Sequence, residues 1–211
     1  EVLGYGFRSP FAAVHPVSGI VTASDQQGHY VPTTPIHLVD GGHFHGFLAS
    51  LRPKEVYPEA ITEPLTWIPY PVNSSGAGQA WVIDDRMGSL NGALIHVGYY
   101  RPELFAVRLH RRASVPQAFV VSLTRELDFA PLNAAINPAD GQLYTIGLQI
   151  WGSVAKQITG LARVRHTSKV STLPSEVGAF DKGILRRFDA PLDAATARDA
   201  ANFSAERWEY R

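Results

Sequence analysis

The residues best equipped for chemistry crowd the stretch from Gly4 to Phe47, which holds an arginine, several histidines and paired glycines. His43 and His45 stand two apart, so on a strand both imidazoles project to one face, where His37 or Asp40 supplies a third metal ligand. The run Gly41-Gly42-His43-Phe44-His45-Gly46 equally fits a bend that bulky residues cannot follow, with the imidazoles bonding neighbouring backbone. That structural account is the simpler one. Arg8 lies between Phe7 and Ser9-Pro10, and the proline extends the residue before it, aiming side chains out of a sheet. Its guanidinium is suited to clamp a planar carboxylate through two parallel hydrogen bonds, or to pair with an aspartate of a neighbouring sheet.

Three later clusters invite chemistry more weakly. Asp84-Asp85-Arg86 offers a general base or a cation ligand, but aspartate at the start of a turn needs no further role. Ser74-Ser75-Gly76 lacks the glycine that a nucleophile elbow requires two residues before its serine, since Val72 and Asn73 stand there. A hydrolase of that kind is excluded. Tyr99-Tyr100-Arg101 puts two phenols and a guanidinium at a strand end, fit to line a pocket or to pack a seam between sheets.

The elements that must position these groups are strands. Eighteen glycines and 15 prolines punctuate short runs rich in Val, Ile, Tyr and Phe, and no long helical period appears before the last quarter. Expected strands are Phe11 to Val14, Ile20 to Ala23 and Ile36 to Val39, then a surface connection over Arg52 to Glu63. A second group comprises Thr66 to Tyr70, Gln79 to Ile83, Ala93 to Val97 and Glu103 to Leu109. A third comprises Gln117 to Leu123, Leu132 to Ile136, Gln142 to Ile146 and Leu161 to Arg165. Glycine followed by a strand recurs at Gly19, Gly92 and Gly141. About 45 residues per four-stranded unit is the spacing of propeller blades, although a Greek-key sandwich also gives short strands and Gly/Pro turns.

Beyond Thr167 the character changes. Ser171 to Gly178 reads as a linker, Gly183 to Phe188 as a strand, Asp193 as the N-cap of a short alanine-rich helix, and Phe203 to Tyr210 as a further strand. The expected organisation is therefore all-β: residues 1–170 as about three four-stranded propeller blades, and 171–211 as a linker opening a following β module. The chain reads as a piece of something longer.

Composition narrows the function classes. Lys+Arg and Asp+Glu are each 19, for a formal charge of zero, and no basic stripe marks a nucleic-acid partner. The absence of cysteine removes disulfides, thiolate metal sites and a cysteine nucleophile. No apolar run is long enough for a membrane span.

Taken in order, Gly6-Phe7-Arg8-Ser9-Pro10, Ser24-Asp25-Gln26-Gln27-Gly28 and Gly41-Gly42-His43-Phe44-His45-Gly46-Phe47 resemble successive motifs of the quinoprotein glucose/sorbosone dehydrogenase β-propellers. Trp67-Ile68-Pro69, Asn73-Ser74-Ser75, Ala93 to Leu109 and Asn137-Pro138-Ala139-Asp140-Gly141-Gln142-Leu143-Tyr144 continue the register, so the likeness covers about residues 3 to 167. The resemblance implies a pyrroloquinoline quinone (PQQ) cofactor whose carboxylates meet Arg8, with Ser9 in the place of the family's asparagine. It implies a calcium ion held by carbonyls near Gly28 and His29. Where the family has a lysine this chain has Tyr100, with Arg101 beside it, and the resemblance makes these two further cofactor-binding residues, while the family's arginine pair falls at Ala130 and Leu132.

By the same resemblance the substrate is a sugar or aldehyde, electrons leave to a haem acceptor domain, and the location is periplasmic or extracellular. The resemblance also implies that these are blades from the C-terminal part of a six-bladed propeller; the family's catalytic histidine belongs to an earlier blade, so no catalytic residue is assigned here. The rival expectation is a propeller that has lost its quinone and serves as a binding or scaffold module.

Overall fold

The computed structural model describes residues 1–27, 33–51, 58, 60–110 and 115–207. Fifteen strands are formed among them: β1 (Gly4–Tyr5), β2 (Phe11–Val14), β3 (Val21–Ser24), β4 (Thr34–Leu38), β5 (His43–Phe44), β6 (Thr66–Ile68), β7 (Gly76–Trp81), β8 (Leu94–Gly98), β9 (Glu103–His110), β10 (Gln117–Thr124), β11 (Asn133–Ile136), β12 (Leu143–Leu148), β13 (Thr159–Val164), β14 (Pro174–Phe180) and β15 (Gly183–Phe188). One short helix, α1 (Ala194–Arg198), follows.

The strands form antiparallel sheets in chain order: β2-β3-β4-β6, then β7-β8-β9-β10, then the three-stranded β11-β12-β13. The first strands of successive sheets, β2, β7 and β11, lie side by side, and β7 is laced to β3 on one side and to the start of β11 on the other. Ser24 Oγ donates to the Ala77 carbonyl at 2.7 Å, Thr22 Oγ1 donates to Gln79 Oε1 at 2.9 Å, and the Gly78 N–H donates to the Leu132 carbonyl at 2.8 Å. Sheets fanning out from adjacent first strands are the blades of a propeller, as the repeat spacing anticipates.

Packing explains why the middle blade is apolar on both faces. Leu94 and Val107 are cross-strand partners and turn with Trp81 toward Ile36, Leu65 and Ile68 of the first blade. Their neighbours Ile95, Val97 and Leu104 turn the other way, to Ala130 and Leu143 beside and in the third blade. The two-residue period of the pleat thus feeds two cores at once, and every residue of β8 is buried. Close approach matters as much as apolarity at Gly147, where a Cβ would stand 1.9 Å from the Ala130 carbonyl oxygen.

The structure shifts the blade frame by one strand from the sequence expectation. Thr66–Ile68 pairs with Thr34–Ile36 and closes the first blade rather than opening the second. Gln117–Thr124 pairs with β9 along seven registered positions and closes the second rather than opening the third. Strand lengths and turns are the same in either frame, and only pairing partners distinguish them.

The segment after Thr167 is also more ordered than a linker. Pro174–Phe180 and Gly183–Phe188 form a hairpin, and His110 Nε2 lies 3.7 Å from Glu176 Oε1 where that hairpin meets the second blade. Glu176 is also within 3.0 Å of Arg187, its hairpin partner, so a local ion pair and cross-strand pairing extend the strand into the expected linker. Asp193 caps α1 as expected, accepting from the Thr196 N–H at 2.8 Å. Residues 203–207 adopt no strand, and the remainder of that expected strand falls outside the described residues, as does most of the expected surface connection over 52–63.

Candidate functional site: a mouth shared by three blades

A buried carboxylate organises the site. Asp25, just past the end of β3, is 1% exposed and accepts three backbone hydrogen bonds. The Arg8 N–H donates to Oδ2 at 2.8 Å, and the Ser9 and Gln26 N–H groups donate to Oδ1 at 2.7 and 2.8 Å. Burial raises the Asp25 carboxyl, with the three N–H groups and the Arg8 charge pulling the other way; the net shift is upward. This clamp sews the segment before β2 to the end of β3, and it fixes where Arg8 leaves the backbone.

Around it opens a cavity of about 510 Å³ lined by Arg8, Ser9, Gln26, Gln27, Ser75 and Trp151. The Arg8 guanidinium donates through Nη1 to the Gln27 carbonyl. Gln27 reaches to the second blade, its Oε1 accepting from the Ser75 N–H at 3.1 Å. Ser75 has a φ of 62°, a left-handed conformation that a serine adopts only under constraint. The Trp151 indole N–H lies 3.4 Å from Ser75 Oγ, so the third blade contributes too. Trp151 is held by Tyr99, whose buried hydroxyl accepts from the N–H groups of Ile150 and Trp151 at 2.7 and 2.9 Å and donates to the Trp151 carbonyl at 2.9 Å. Their ring centroids lie 4.2 Å apart, the planes tilted by 32°.

Of the sequence-derived candidates, Arg8 and Ser9 therefore share one cavity. Tyr100 and Arg101 are not among its lining residues. Tyr100 is part of the wall behind it, its N–H donating to the Ser74 carbonyl and its own carbonyl accepting from Val154. Arg101 lines a separate cleft. Gly28 and His29 lie outside the described residues. Gln26, Gln27, Ser75 and Trp151 were not singled out in the sequence as lining groups; Trp151 and Ser75 meet across a long sequence separation that no local pattern records.

The His-x-His motif does not form a metal face. The strand holding His43 ends at Phe44, and His45 turns away beyond it. His43 is exposed, 3.5 Å from Asp40, whereas His45 is buried with its Nδ1 3.3 Å from His37 Nδ1 and its ring stacked on Phe7 at 4.6 Å. Burial, and then the facing His45, lowers His37 to about 3; burial likewise lowers His45. Among the described residues neither His43 nor His45 bonds backbone through its ring as the structural alternative expects, and no three acidic or histidine groups assemble a cation site.

The Asp84–Arg86 pair is structural. Arg86 binds Asp84 through Nε and Nη2 at 2.9 and 2.7 Å and donates to the carbonyls of Pro138 and Ala139, tying the second blade to a turn of the third. Those hydrogen bonds lower Asp84 to about 2.

Adjacent four-stranded antiparallel sheets joined at their first strands define a β-propeller segment, with its candidate mouth at the end where Arg8, Gln27, Ser75 and Trp151 converge. No family model matches the chain, and no curated protein matches it. Solved structures do. An oxidoreductase described as a glucose dehydrogenase, from Thermus thermophilus, is similar with a TM-score of 0.56 at 20% identity, over 78% of this chain and 46% of that one. The soluble aldose sugar dehydrogenase of Escherichia coli, in its apo form, gives 0.56 at 14% identity over 79% and 47%. The PQQ-bound aldose sugar dehydrogenase of Streptomyces coelicolor gives 0.53 at 18% over 78% and 45%. The chain has the fold of these sugar-dehydrogenase propellers and spans about half the length of the structures it matches. Among the described residues no helix is long and apolar enough to cross a membrane.

Proposed function

We propose that this chain supplies three blades of a PQQ-dependent oxidoreductase acting on a sugar or aldehyde, and that Arg8 anchors the quinone. The observation carrying this is the Asp25 clamp: it spends a buried carboxylate on presenting Arg8 and Ser9 at a cavity built by three blades. The donor set fits part of such a cofactor. A guanidinium with one nitrogen on Gln27 keeps a second for a carboxylate, two side-chain amides and a serine hydroxyl offer neutral hydrogen bonds, and the Trp151 indole offers an aromatic surface. PQQ, when bound, accepts the two electrons removed from the substrate. This chain's residues bind and orient: Arg8 and Ser9 hold an acidic edge, and Gln27 and Trp151 brace Ser75 at the opposite wall. Calcium near Gly28 and His29, a haem acceptor and a periplasmic or extracellular location belong to the same proposal.

One observation favours the second reading, a binding propeller without quinone. Arg101 opens into another cleft, so among the described residues a single guanidinium lines the mouth that a tricarboxylate would occupy. Reconstitution with PQQ and calcium decides between them. Uptake that quenches tryptophan fluorescence and is abolished in Arg8→Ala supports the quinoprotein; no uptake by the wild-type chain rejects it.

A further inference from the structure

A second cleft, of about 380 Å³, lies behind the mouth and is lined by Pro71, Val72, Arg101, Pro102, Glu103, Arg125 and Val154. It shares a wall with the first, because the Tyr100 backbone bonds Ser74 on one side and Val154 on the other. Its charges are arranged unequally. The Glu103 side chain is 2% exposed and accepts from Ser122 Oγ and, at 3.0 Å, from Arg125 Nε. That bond leaves both terminal nitrogens of Arg125 without a partner among the described residues, on a side chain 72% exposed. Arg101 is exposed and has no side-chain hydrogen bond or ion pair among the described residues.

We infer that this cleft is a binding site for a small organic monocarboxylate, held between Arg101 and Arg125. Two guanidiniums with one buried carboxylate leave a single net positive charge, which matches a monoanion rather than a dianion. Glu103 acts as a positioning residue, holding Arg125 through its Nε so that the fork of the guanidinium faces outward. Pro71, Val72, Pro102 and Val154 supply an apolar wall, which suits a ligand with a carbon body and gives nothing to a bare inorganic anion. The site is distinct from the Arg8 mouth and does not depend on quinone.

Calorimetric titration of the 211-residue chain tests this with butyrate, inorganic phosphate and neutral butyramide as probes. Saturable butyrate binding is expected, with phosphate and butyramide much weaker. Arg101→Met, an exposed change that leaves the fold intact, weakens butyrate about tenfold or more, as does Arg125→Met, while Arg8→Ala leaves it unchanged. Absence of butyrate binding, equal binding of phosphate or butyramide, or loss of binding in Arg8→Ala but not in Arg101→Met overturns the assignment. Because the readout is butyrate affinity, failure here is separable from failure of PQQ to bind at Arg8.

Discussion

At the scale of single residues, Asp25 carries more than its place in a short motif implies. Both of its oxygens are used by backbone N–H groups, so an amide in its place must turn an NH₂ toward at least one donor. Asp25→Asn is expected to cost about 1–3 kcal/mol and to loosen Arg8 from the mouth; denaturant unfolding measures the first. An unchanged unfolding midpoint would mean that the clamp is dispensable. Arg8, Ser9 and Asp25 stand in short local motifs of the sequence, but the clamp that joins them across 17 positions was not legible there. The histidines show the same limit. Spacing placed His43 and His45 on one face, but the strand stops between them, and burial then selected His37 as the partner of His45.

At the scale of elements, most strands of the three blades were legible to within two or three residues, while Pro174–Phe180 was read as linker and the grouping of strands was not legible. Val, Ile and Phe runs between glycine turns mark each strand, but whether Thr66–Ile68 ends one blade or begins another is decided by backbone pairing with Thr34–Ile36. The loop after β12 makes the same point for the site. Trp151 reaches the mouth because Tyr99, in the neighbouring blade, takes two of its loop's N–H groups and one carbonyl. Tyr99→Phe leaves those groups unpaired beside a buried ring and is expected to destabilise the fold by about 1–3 kcal/mol while freeing Trp151. A red-shifted, more readily quenched tryptophan emission would report that release; emission and stability equal to wild type would show that the loop holds without the hydroxyl.

At the scale of the whole molecule, the blades are joined by buried polar contacts as well as by apolar cores, and this makes the assembly sensitive to acid. His37 and His96 are both held neutral by burial, each with an ionisation lowered from 6.5 to about 3, and His96 accepts from the Asn73 amide at 2.7 Å. A histidine that is neutral when folded but binds a proton when unfolded favours unfolding as pH falls. Their contribution is complete above 6.5 and is lost progressively as pH falls from 6.5 toward 3. Thermal melts are expected to show a midpoint dropping through that window; a midpoint level from neutrality to pH 4 would contradict the buried, neutral state of both rings. The third blade meanwhile exposes Ile146 and its cross-strand partner Leu161, 56% and 68% exposed. An apolar blade face of this kind suits contact with a further blade in the proposed oxidoreductase.

The central claim is that Arg8, presented by Asp25, anchors a quinone at the mouth. Equilibrium binding of PQQ, with calcium present, to the wild-type chain and to Arg8→Ala tests it most directly. Saturable binding that disappears with the arginine is the predicted result, and PQQ affinity undiminished in Arg8→Ala would contradict it.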